Sequence, residues 1–422
     1  MKAAILAAGD STRMLPLSAN TPKHLLPVGG EPLIFHTLRG LRDAGIDEVL
    51  VITGYHEKEL RDRIGAHDWE SMTISYITQT ERKGTAHAAA LARDFAGNDE
   101  ILIMYGDLMV QADSFAGLIK AHQKSGMSLT LSVIWKEDPS AYGAVVVDDQ
   151  RVIDIVEKPE PGEVDSSFVN AGIYVAGPDL WDAIEQTELS PRGEYEITDS
   201  IKILIKRGVV GFYELPSWWI DVGRPWDLLE ANKLFLDSAV RRIEGEVEEG
   251  AVLKGNVIVE RGAIVRSGAY IIGPVFIGPE CVVGPNCFIR PHTALVRKVK
   301  IGNAVEIKNS IIMEGTNVGH LSYVGDSIIG RNSNFGAGTI TANLRHDDQP
   351  IKVTVKSKRV SSGRRKLGAI IGDDVKTGIG TSIAPGVVIH TGARTGVGVI
   401  VDRDIPPHKL LLATQLKKLV DI

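Results

Sequence analysis

Residues suited to phosphate chemistry lie close to the start of the chain. An apolar run leads into LAAGDSTRMLPLSANTPKHLLPV, which carries Gly9, Arg13 and Lys23. A nucleoside triphosphate needs close approach of the backbone, which a glycine permits, and cations that neutralise the charge on departing pyrophosphate. The stretch has neither a GxGxxG motif nor a GK[ST] ending, so hydride transfer and P-loop hydrolysis are disfavoured.

Two carboxylates stand at the ends of further predicted strands. Asp107 ends ILIMYGD, and Asp221 lies within WWIDVG. Two carboxylates at strand ends can hold Mg²⁺ against phosphate oxygens. A lone aspartate in such a place more often caps a turn or a helix, so the pair is informative only together with the glycine loop.

A third group of polar residues interrupts the later part of the chain. His320, Tyr323, Asn334 and Asn343 fall within MEGTNVGHLSYVGDSIIGRNSNFGAGTITAN. A histidine titrates near neutral pH, so it can take the proton of an amine during acyl transfer from a thioester. A single histidine in a turn is more often structural, and both interpretations stay open on the residues alone.

The elements that must position these residues are of two kinds. From residue 1 to about 235, apolar runs such as AAILAAG, EVLVITG and ILIMYGD alternate with amphipathic stretches. Strands that alternate with helices predict a mostly parallel α/β sheet, whose ligands bind at the carboxyl ends of the strands. The residues just after AAILA and ILIMY are therefore expected in the site.

From residue 247 the sequence repeats every six residues, in units such as VERGAI, VRSGAY and IGPECV. This period predicts a solenoid of short parallel strands. Cys281 and Cys287 occupy the same place in consecutive units, which favours two small buried residues over a disulfide or a metal site. The period stops after TITAN and resumes at IGDDVK, and the basic stretch between them, 345–366, suits either a phosphate-rich ligand or a solvated loop.

Length and composition predict two domains and exclude some partners. We expect a first domain over 1–235, a linker over 236–246, the repeat domain over 247–406 and an amphipathic tail helix over 407–422. The 422 residues include 47 basic and 53 acidic ones, a net charge of −6, which does not suggest nucleic acid or a membrane surface. No stretch has the length of a membrane span, and two cysteines suit a reducing cytoplasm.

The first half of the chain resembles the sugar-1-phosphate nucleotidylyltransferases. The matching stretches are, in order, LAAGDSTRM, TPKHLLPV, QTERKGTAHA, YGD, AYGAV, VEKP, FVNAGIY and WIDVG. The resemblance implies a Rossmann-like domain in which a sugar-1-phosphate attacks the α-phosphorus of UTP or dTTP, with Mg²⁺ as cofactor and pyrophosphate as leaving group. It assigns nucleotide binding to Leu6, Ala8, Gly9, Gln79, Gly84 and Thr85, catalysis to Arg13 and Lys23, the metal to Asp107 and Asp221, and the sugar phosphate to Gly143, Glu157, Lys158 and Asn170.

The second half is similar to the acetyltransferase domain of the bifunctional glucosamine-1-phosphate acetyltransferase / N-acetylglucosamine-1-phosphate uridylyltransferase family. IRP, EIKNS, GHLSYVGD, NFGAGTITAN and IIGDD carry the match, and SSGRRKLGAIIGDD resembles its archaeal branch. The resemblance implies a left-handed parallel β-helix, a homotrimer, and acetyl-CoA as co-substrate. It assigns the general base to His320 and substrate binding to Arg290, Lys308, Tyr323, Asn334, Asn343 and Lys352.

The chain departs from the family patterns at two positions. Ser11 replaces a family glycine, and Gln349 replaces a family lysine for which Lys352 is the nearest substitute. We expect a bifunctional enzyme that makes UDP-N-acetylglucosamine from glucosamine-1-phosphate, with galactosamine-1-phosphate as another acceptor. The alternative, favoured by Gln349, is a glucose-1-phosphate uridylyl- or thymidylyltransferase whose β-helix only assembles or regulates it. A non-catalytic subunit is disfavoured, because the phosphate-binding and metal-binding residues are retained.

Overall fold

A computed structural model of the protein describes residues 1–160 and 162–414. Their contacts divide the chain into two units. The first unit contains Met1–Asp10 and Leu33–Asp221, and the second contains Ser11–Pro32 and the chain from Val222 onward. This division falls at different residues from the predicted boundary at 235, because contacts group both the segment 11–32 and the residues from Val222 onward with the repeats.

The part of the chain up to Asp221 contains a nine-stranded sheet with helices between its strands. The strands up to Asp221 are β1 (Lys2–Ala7), β2 (Pro27–Val28), β3 (Glu31–Pro32), β4 (Glu48–Thr53), β5 (Thr73–Thr78), β6 (Ile101–Tyr105), β7 (Leu108–Val110), β8 (Leu129–Trp135), β9 (Gly143–Asp148), β10 (Arg151–Glu157), β11 (Phe168–Ala176), β12 (Val210–Glu214) and β13 (Trp219–Asp221). The α-helices are α1 (Leu33–Asp43), α2 (Glu57–Gly65), α3 (Thr85–Ala90), α4 (Arg93–Ala96), α5 (Asp113–Ser125), α6 (Asp179–Glu185), α7 (Ile197–Lys206) and α8 (Asp227–Asp237), the last of which belongs to the second unit.

The sheet has the order β5-β4-β1-β6-β11-β8-β12-β10-β9, and its β5-β4-β1-β6 part is parallel. β1 is apolar and almost wholly buried, as expected of a central parallel strand covered on both faces. The helices bury one face each: in α7 this face consists of Ile197, Ile201 and Leu204, spaced by about one turn. The sheet confirms the predicted α/β class.

Short parallel strands build the repeat region. They are β14 (Arg242–Ile243), β15 (Glu246–Val247), β16 (Val252–Lys254), β17 (Val257–Val259), β18 (Ile264–Val265), β19 (Tyr270–Ile272), β20 (Val275–Ile277), β21 (Val282–Val283), β22 (Phe288–Ile289), β23 (Thr293–Leu295), β24 (Lys300–Asn303), β25 (Glu306–Lys308), β26 (Ile311–Ile312), β27 (Asn317–His320), β28 (Tyr323–Gly325), β29 (Ile328–Ile329), β30 (Asn334–Phe335), β31 (Ile340–Thr341), β32 (Lys352–Val355), β33 (Lys358–Ser361), β34 (Ile370–Ile371), β35 (Lys376–Thr377), β36 (Ser382–Ile383), β37 (Val388–Ile389), β38 (Arg394–Thr395), β39 (Ile400–Val401) and β40 (Leu410–Leu411). Apart from the hairpin β32–β33, they form three sheets, begun by β14, β15 and β16, that we call the first, second and third faces. The chain visits the faces in turn, which makes a parallel β-helix.

The inward side chains of the three faces form one apolar core. Both Cys281 and Cys287 lie in it as free, buried thiols, as predicted, and burial raises the pKa of each to about 12.

The six-residue step is not uniform. Inward positions are five residues apart from Ile307 to Ile312, so the predicted six-residue register is wrong by one residue after Ile307, and they are again five residues apart from Val324 to Ile329.

Two features interrupt or end the coil. After β31 the chain leaves the β-helix and forms the antiparallel hairpin of β32 and β33, as the broken period predicts. The predicted tail helix over 407–422 is wrong in its described part, because Leu410–Leu411 form a strand that pairs with β38 and Leu411 packs on the core. Residues 415–422 lie outside the described residues. No helix within 1–160 and 162–414 is long and apolar enough to cross a membrane.

Candidate active sites

In the first unit, the parallel strands end in predicted site residues. β5 is followed by Gln79, β1 by Ala8 and Gly9, and β6 by Gly106 and Asp107. β1 is the neighbour of β6 and the next neighbour of β5, and all three run in the same direction, so their carboxyl ends share one edge. The Gly106 amide donates to the carbonyl oxygen of Leu6 (2.9 Å), which ties the end of β6 to the end of β1. The structure thus brings the predicted nucleotide residues and Asp107 to the edge expected for ligands.

Asp107 and Asp221 come close through a short antiparallel ladder. β13 pairs with β7 so that Asp221 stands opposite Leu108, the residue after Asp107. Both aspartates are half-buried. Trp219 Nε1 donates to the carbonyl oxygen of Ala171 (2.8 Å) and so anchors β13 to β11.

The turn before α3 holds Gln79, Gly84 and Thr85. Gln79 is buried, and its Nε2 donates to the carbonyl oxygen of Gly84 (3.2 Å). Gly84 has φ +112° and ψ −177°, and a Cβ there would lie 2.4 Å from the carbonyl oxygen of Tyr195, so the backbone requires glycine. Thr85 Oγ1 accepts from the Ile197 amide (2.9 Å), a contact that fixes the turn against α7.

The predicted sugar-phosphate residues gather on β9, β10 and β11. Gly143 begins β9 and stands opposite Glu157, which ends β10, and a Cβ on Gly143 would be 3.1 Å from Glu157 Oε1. The Lys158 amide donates to the carbonyl oxygen of Tyr142 (2.8 Å), and Glu157 and Lys158 are exposed. Asn170 lies on β11 just before its register shifts against β8.

A buried pair of phenols lies beside Asn170. Asn170 Nδ2 donates to the hydroxyl of Tyr174 (2.8 Å), which donates to the hydroxyl of Tyr105 (3.4 Å). Burial raises the pKa of Tyr174 to about 12 and that of Tyr105 well above its ordinary value, and the Glu157 carboxylate raises both further. Both hydroxyls therefore stay protonated, and that of Tyr174 donates to that of Tyr105.

The signature segment 11–32 belongs to the second unit. Ser11 has φ +55° and ψ 22°, so the chain keeps at Ser11 the left-handed backbone that the family glycine adopts readily. Arg13 is exposed in the 3₁₀ turn Thr12–Met14, and Lys23 begins the 3₁₀ turn Lys23–Leu25. Burial raises the pKa of Asp227 to about 6, and the backbone hydrogen bond and charge of Arg224, followed by the charge of Lys23, partly offset that rise.

In the second unit, the five-residue steps coincide with one corner of the β-helix. At this corner the chain passes from the third face to the first, through Lys308-Asn309 in one coil and Gly325-Asp326 in the next. Asn309 and Asp326 have φ of 44° and 49°, a conformation that Asn and Asp tolerate better than most residues. The shortened corner stacks Asn309 on Asp326, and Asn309 Nδ2 donates to Asp326 Oδ1 (2.7 Å).

Asp326 is the centre of a hydrogen-bond network that the sequence did not single out. Its side chain is 4% exposed, and Oδ2 accepts from Lys308 Nζ (3.2 Å) and from Asn343 Nδ2. Asn343 Nδ2 also donates to the hydroxyl of Tyr323 (3.1 Å). The only sequence signal was its place in GHLSYVGD, where a short polar residue follows a glycine at a turn.

Arg290 extends this network along the third face. Arg290 Nη1 donates to Glu306 Oε1 (2.8 Å), and Glu306 stands directly opposite Tyr323 on β28. Burial, then the carboxylates of Asp326 and Glu306, raise the pKa of Tyr323. Arg290, Lys308, Tyr323 and Asn343 are therefore brought together by two acidic residues.

The remaining predicted residues of this site lie elsewhere. His320 is exposed at the end of β27, at the corner that leads to Tyr323 and the third face. Asn334 is exposed on the second face, and Lys352 is exposed on the hairpin strand β32, so neither joins the network around Asp326. Gln349 is exposed in the excursion, and its amide donates to Asp347 Oδ1 (3.3 Å).

The arginines of the basic excursion are occupied by internal partners. Arg345 pairs with Asp347 (2.6 Å), Arg365 with Asp348 (2.8 Å), and Arg364 with Glu230 of α8 (3.1 Å). These pairs neutralise three of the eight basic residues in 345–366, so both interpretations of this stretch stay open.

Comparisons with known proteins cover the whole chain. Residues 2–238 match the nucleotidyl transferase family, and residues 271–378 match the GMPPB C-terminal domain. The chain is 45% identical to the "Bifunctional protein GlmU" of Methanocaldococcus jannaschii over 96% of both chains. It is 43% identical to the bifunctional sugar-1-phosphate nucleotidylyltransferase/acetyltransferase of Sulfurisphaera tokodaii over 96% of this chain and 98% of that one. A solved UDP-glucose pyrophosphorylase in complex with UDP-glucose shares the fold at a TM-score of 0.51 and 23% identity, over 56% of this chain and 98% of the other.

Proposed function

The chain belongs to the family of bifunctional sugar-1-phosphate nucleotidylyltransferase/acetyltransferase proteins, and we propose that it makes UDP-N-acetylglucosamine in two steps. In the first step, the amine of glucosamine-1-phosphate, or of galactosamine-1-phosphate, takes the acetyl group of acetyl-CoA. In the second, a phosphate oxygen of the sugar-1-phosphate attacks the α-phosphorus of UTP, and pyrophosphate leaves. Galactosamine-1-phosphate would give the N-acetylgalactosamine product instead, and dTTP would give the dTDP-sugar.

The proposal for nucleotidyl transfer is based on the residues at the shared edge of β5, β4, β1 and β6. Gln79 and Gly84 would read the nucleobase, and Gly9 would admit the triphosphate to the backbone at the end of β1. Arg13 and Lys23 are assigned by their motifs to neutralise and orient the phosphates. Positioning and charge neutralisation account for most of the rate in such an in-line displacement, and no covalent nucleophile is needed.

Asp107 and Asp221 fit a Mg²⁺ site. Both are half-buried, and the β7–β13 ladder brings their backbones together. Carboxylate oxygens are the protein ligands that Mg²⁺ prefers, and the bound ion would supply charge neutralisation at the phosphates. The sugar hydroxyls would contact Glu157 and Asn170, with Gly143 leaving room beside Glu157 and Lys158 facing the sugar phosphate.

For acetyl transfer, we propose that His320 takes the amine proton as nitrogen attacks the thioester carbonyl. Arg290 and Lys308, both aligned by carboxylates, would bind the sugar phosphate, while Tyr323 and Asn343 contact the sugar. Asn334 lies on a different face from this network, and it fits the site of a neighbouring subunit in the expected homotrimer. Lys352 remains the proposed substitute for the family lysine.

An exposed apolar strip supports the trimer. Ile379 and Val397 occupy, in later coils, the same corner of the β-helix as His320. They are 61% and 71% exposed. Ile340 and Ile400, on the adjoining third face, are 47% and 74% exposed. Burial of such a strip between subunits removes apolar surface from water. The buried, unpaired thiols suit the proposed cytoplasmic location.

The test is release of free thiol from acetyl-CoA with glucosamine-1-phosphate as acceptor. We expect release by the wild type and its loss in His320→Ala, with His346→Ala, another exposed histidine, as the matched control. Pyrophosphate release should be lost in Asp107→Ala and retained in Asp94→Ala.

The same assays separate the alternatives. Thiol release that persists in His320→Ala would remove His320 as the base. Absence of release with both amino-sugar phosphates would leave the β-helix as a scaffold or regulator. That alternative is not favoured by relatives that are named bifunctional and match the chain over nearly its full length.

A further inference from the structure

The segment 11–32 is attached to the coils by residues far along the chain. Asn20 Nδ2 donates to Asp373 Oδ2 (3.3 Å), and Arg331 Nη2 donates to the carbonyl oxygen of Asn20 (3.3 Å). Asp373 is 6% exposed at its side chain and also accepts from the Arg331 amide (2.8 Å) and from Arg331 Nη2 (3.2 Å). We call Asn20, Arg331 and Asp373 the clamp.

A second attachment lies further along the segment. The Gly29 amide donates to Asn232 Oδ1 (2.9 Å), and Asn232 Nδ2 donates to the carbonyl oxygen of His292 (2.8 Å). The turn that begins at Lys23 therefore lies between two points, Asn20 and Gly29, that are fixed to the repeat region.

We propose that Arg331 and Asp373 are positioning residues for nucleotidyl transfer. They act through Asn20, and the inference rests on the proposed role of Lys23 in that reaction. Three residues of chain span at most about 10 Å, so a shift of Asn20 is passed to the turn that carries Lys23. A displacement of about 1 Å can reduce a rate about 100-fold, although the altered residue touches no substrate.

A change at Asn20 does not touch the apolar core of the coils. Asn20 is exposed, and the coils that carry Arg331 and Asp373 have their own apolar core. The three residues line a polar cleft of about 370 Å³ together with Lys298 and Asn332. A new charge in this cleft stays hydrated, so its effect is expected on the position of the segment.

The test is an exchange of partners across the clamp. Asn20→Asp sets two carboxylates against each other, and we expect kcat for nucleotidyl transfer to fall about tenfold. Acetyl transfer by the same variant and its melting temperature should stay at the wild-type values. The double variant Asn20→Asp/Asp373→Asn restores an amide–carboxylate pair and should recover kcat to within about twofold. Asn332→Asp adds the same charge to the same cleft at a residue outside the clamp and is the matched control.

Lys23→Ala, measured beside these variants, distinguishes failure of the clamp proposal from failure of the role assigned to Lys23. If Lys23→Ala is inactive but Asn20→Asp keeps the wild-type kcat, the clamp has no positioning role. The positioning role would also be overturned if nucleotidyl transfer and acetyl transfer fell in parallel in Asn20→Asp, or if the double variant did not recover kcat. Either result would indicate a general structural role for the clamp. Full activity of Lys23→Ala would instead refute the assignment of Lys23 on which the inference rests.

Discussion

Replacement of Gly84 by alanine tests how rigidly the turn before α3 is built. Gly84 has φ +112° with ψ −177°, and its added Cβ would lie 2.4 Å from the carbonyl oxygen and 2.7 Å from the amide nitrogen of Tyr195. Tyr195 cannot withdraw easily, because its amide donates to the Lys83 carbonyl (2.7 Å) and its carbonyl accepts from the Ala86 amide (2.9 Å). The alanine must therefore displace backbone.

The magnitude follows from two contributions. A non-glycine residue in this backbone region costs about 1–3 kcal/mol, and the overlap with Tyr195 adds to it. We expect the free energy of unfolding to fall by about 3–4 kcal/mol in Gly84→Ala. Gly97 has a comparable backbone, φ +65° and ψ −128°, with nothing within 4 Å of its added Cβ, so Gly97→Ala isolates the first contribution.

Urea unfolding and steady-state kinetics give the readouts. Displacement of the turn also moves the Gly84 carbonyl away from Gln79 Nε2, so KM for the nucleoside triphosphate should rise about tenfold, with acetyl transfer unchanged. Gly97→Ala should lose stability but keep KM. Equal stability losses in the two variants, together with an unchanged KM in Gly84→Ala, would refute the argument from close approach.

Three further outcomes are expected. Ser11→Gly should raise the free energy of unfolding by about 1 kcal/mol. The change relieves a left-handed backbone and removes a buried hydroxyl that has no partner in the described structure. A lower melting temperature would contradict this expectation. Asp326→Asn sets amide donors against the Lys308 ammonium, so kcat/KM for acetyl transfer should fall about 10- to 100-fold. Pyrophosphate release should be unchanged. Full acetyl transfer by this variant would disprove the role of Asp326 in aligning Lys308. Burial raises the pKa of Cys281 and Cys287 to about 12, so their contribution to stability is complete below the ordinary thiol pKa and is lost as pH rises from about 8.5 towards 12. The native protein should accordingly resist iodoacetamide at about pH 8.5 and react after unfolding in urea, and rapid labelling of the folded chain would contradict burial.

Much of the fold was accessible from the sequence, because buried runs and the six-residue period are local patterns. The strand ends that carry Gly9, Gln79 and Asp107 could be located in the same way, since a buried parallel strand reads as an apolar run with polar residues after it. The places of Asp107 and Asp221 at strand ends suggested a metal-binding pair, the resemblance supported it, and the β7–β13 ladder supplies its geometry.

The other features of the fold and the sites depend on contacts between residues distant in sequence, which produce no periodic pattern in the sequence. The coil is one residue shorter than the period at Asn309 and again at Asp326, and both residues lie in left-handed turns that contribute to the hydrogen-bond network around Asp326. The tail was predicted as a helix from the spacing of its apolar residues, but the open end of the β-helix offers Leu410 and Leu411 a strand to pair with. Tertiary pairing outweighed local propensity there.

The attachment of Asn20 to Asp373 has a consequence for the order of events on the ribosome. The two residues are 353 positions apart, and translation adds about 5–20 residues per second, so Asn20 emerges about 18–70 seconds before its partner is made. The N-terminal sheet can therefore form while the segment that carries Lys23 still lacks its anchor. If Lys23 acts in nucleotidyl transfer as proposed, the site matures among the last steps of biogenesis, although Lys23 is among the first residues to be synthesised.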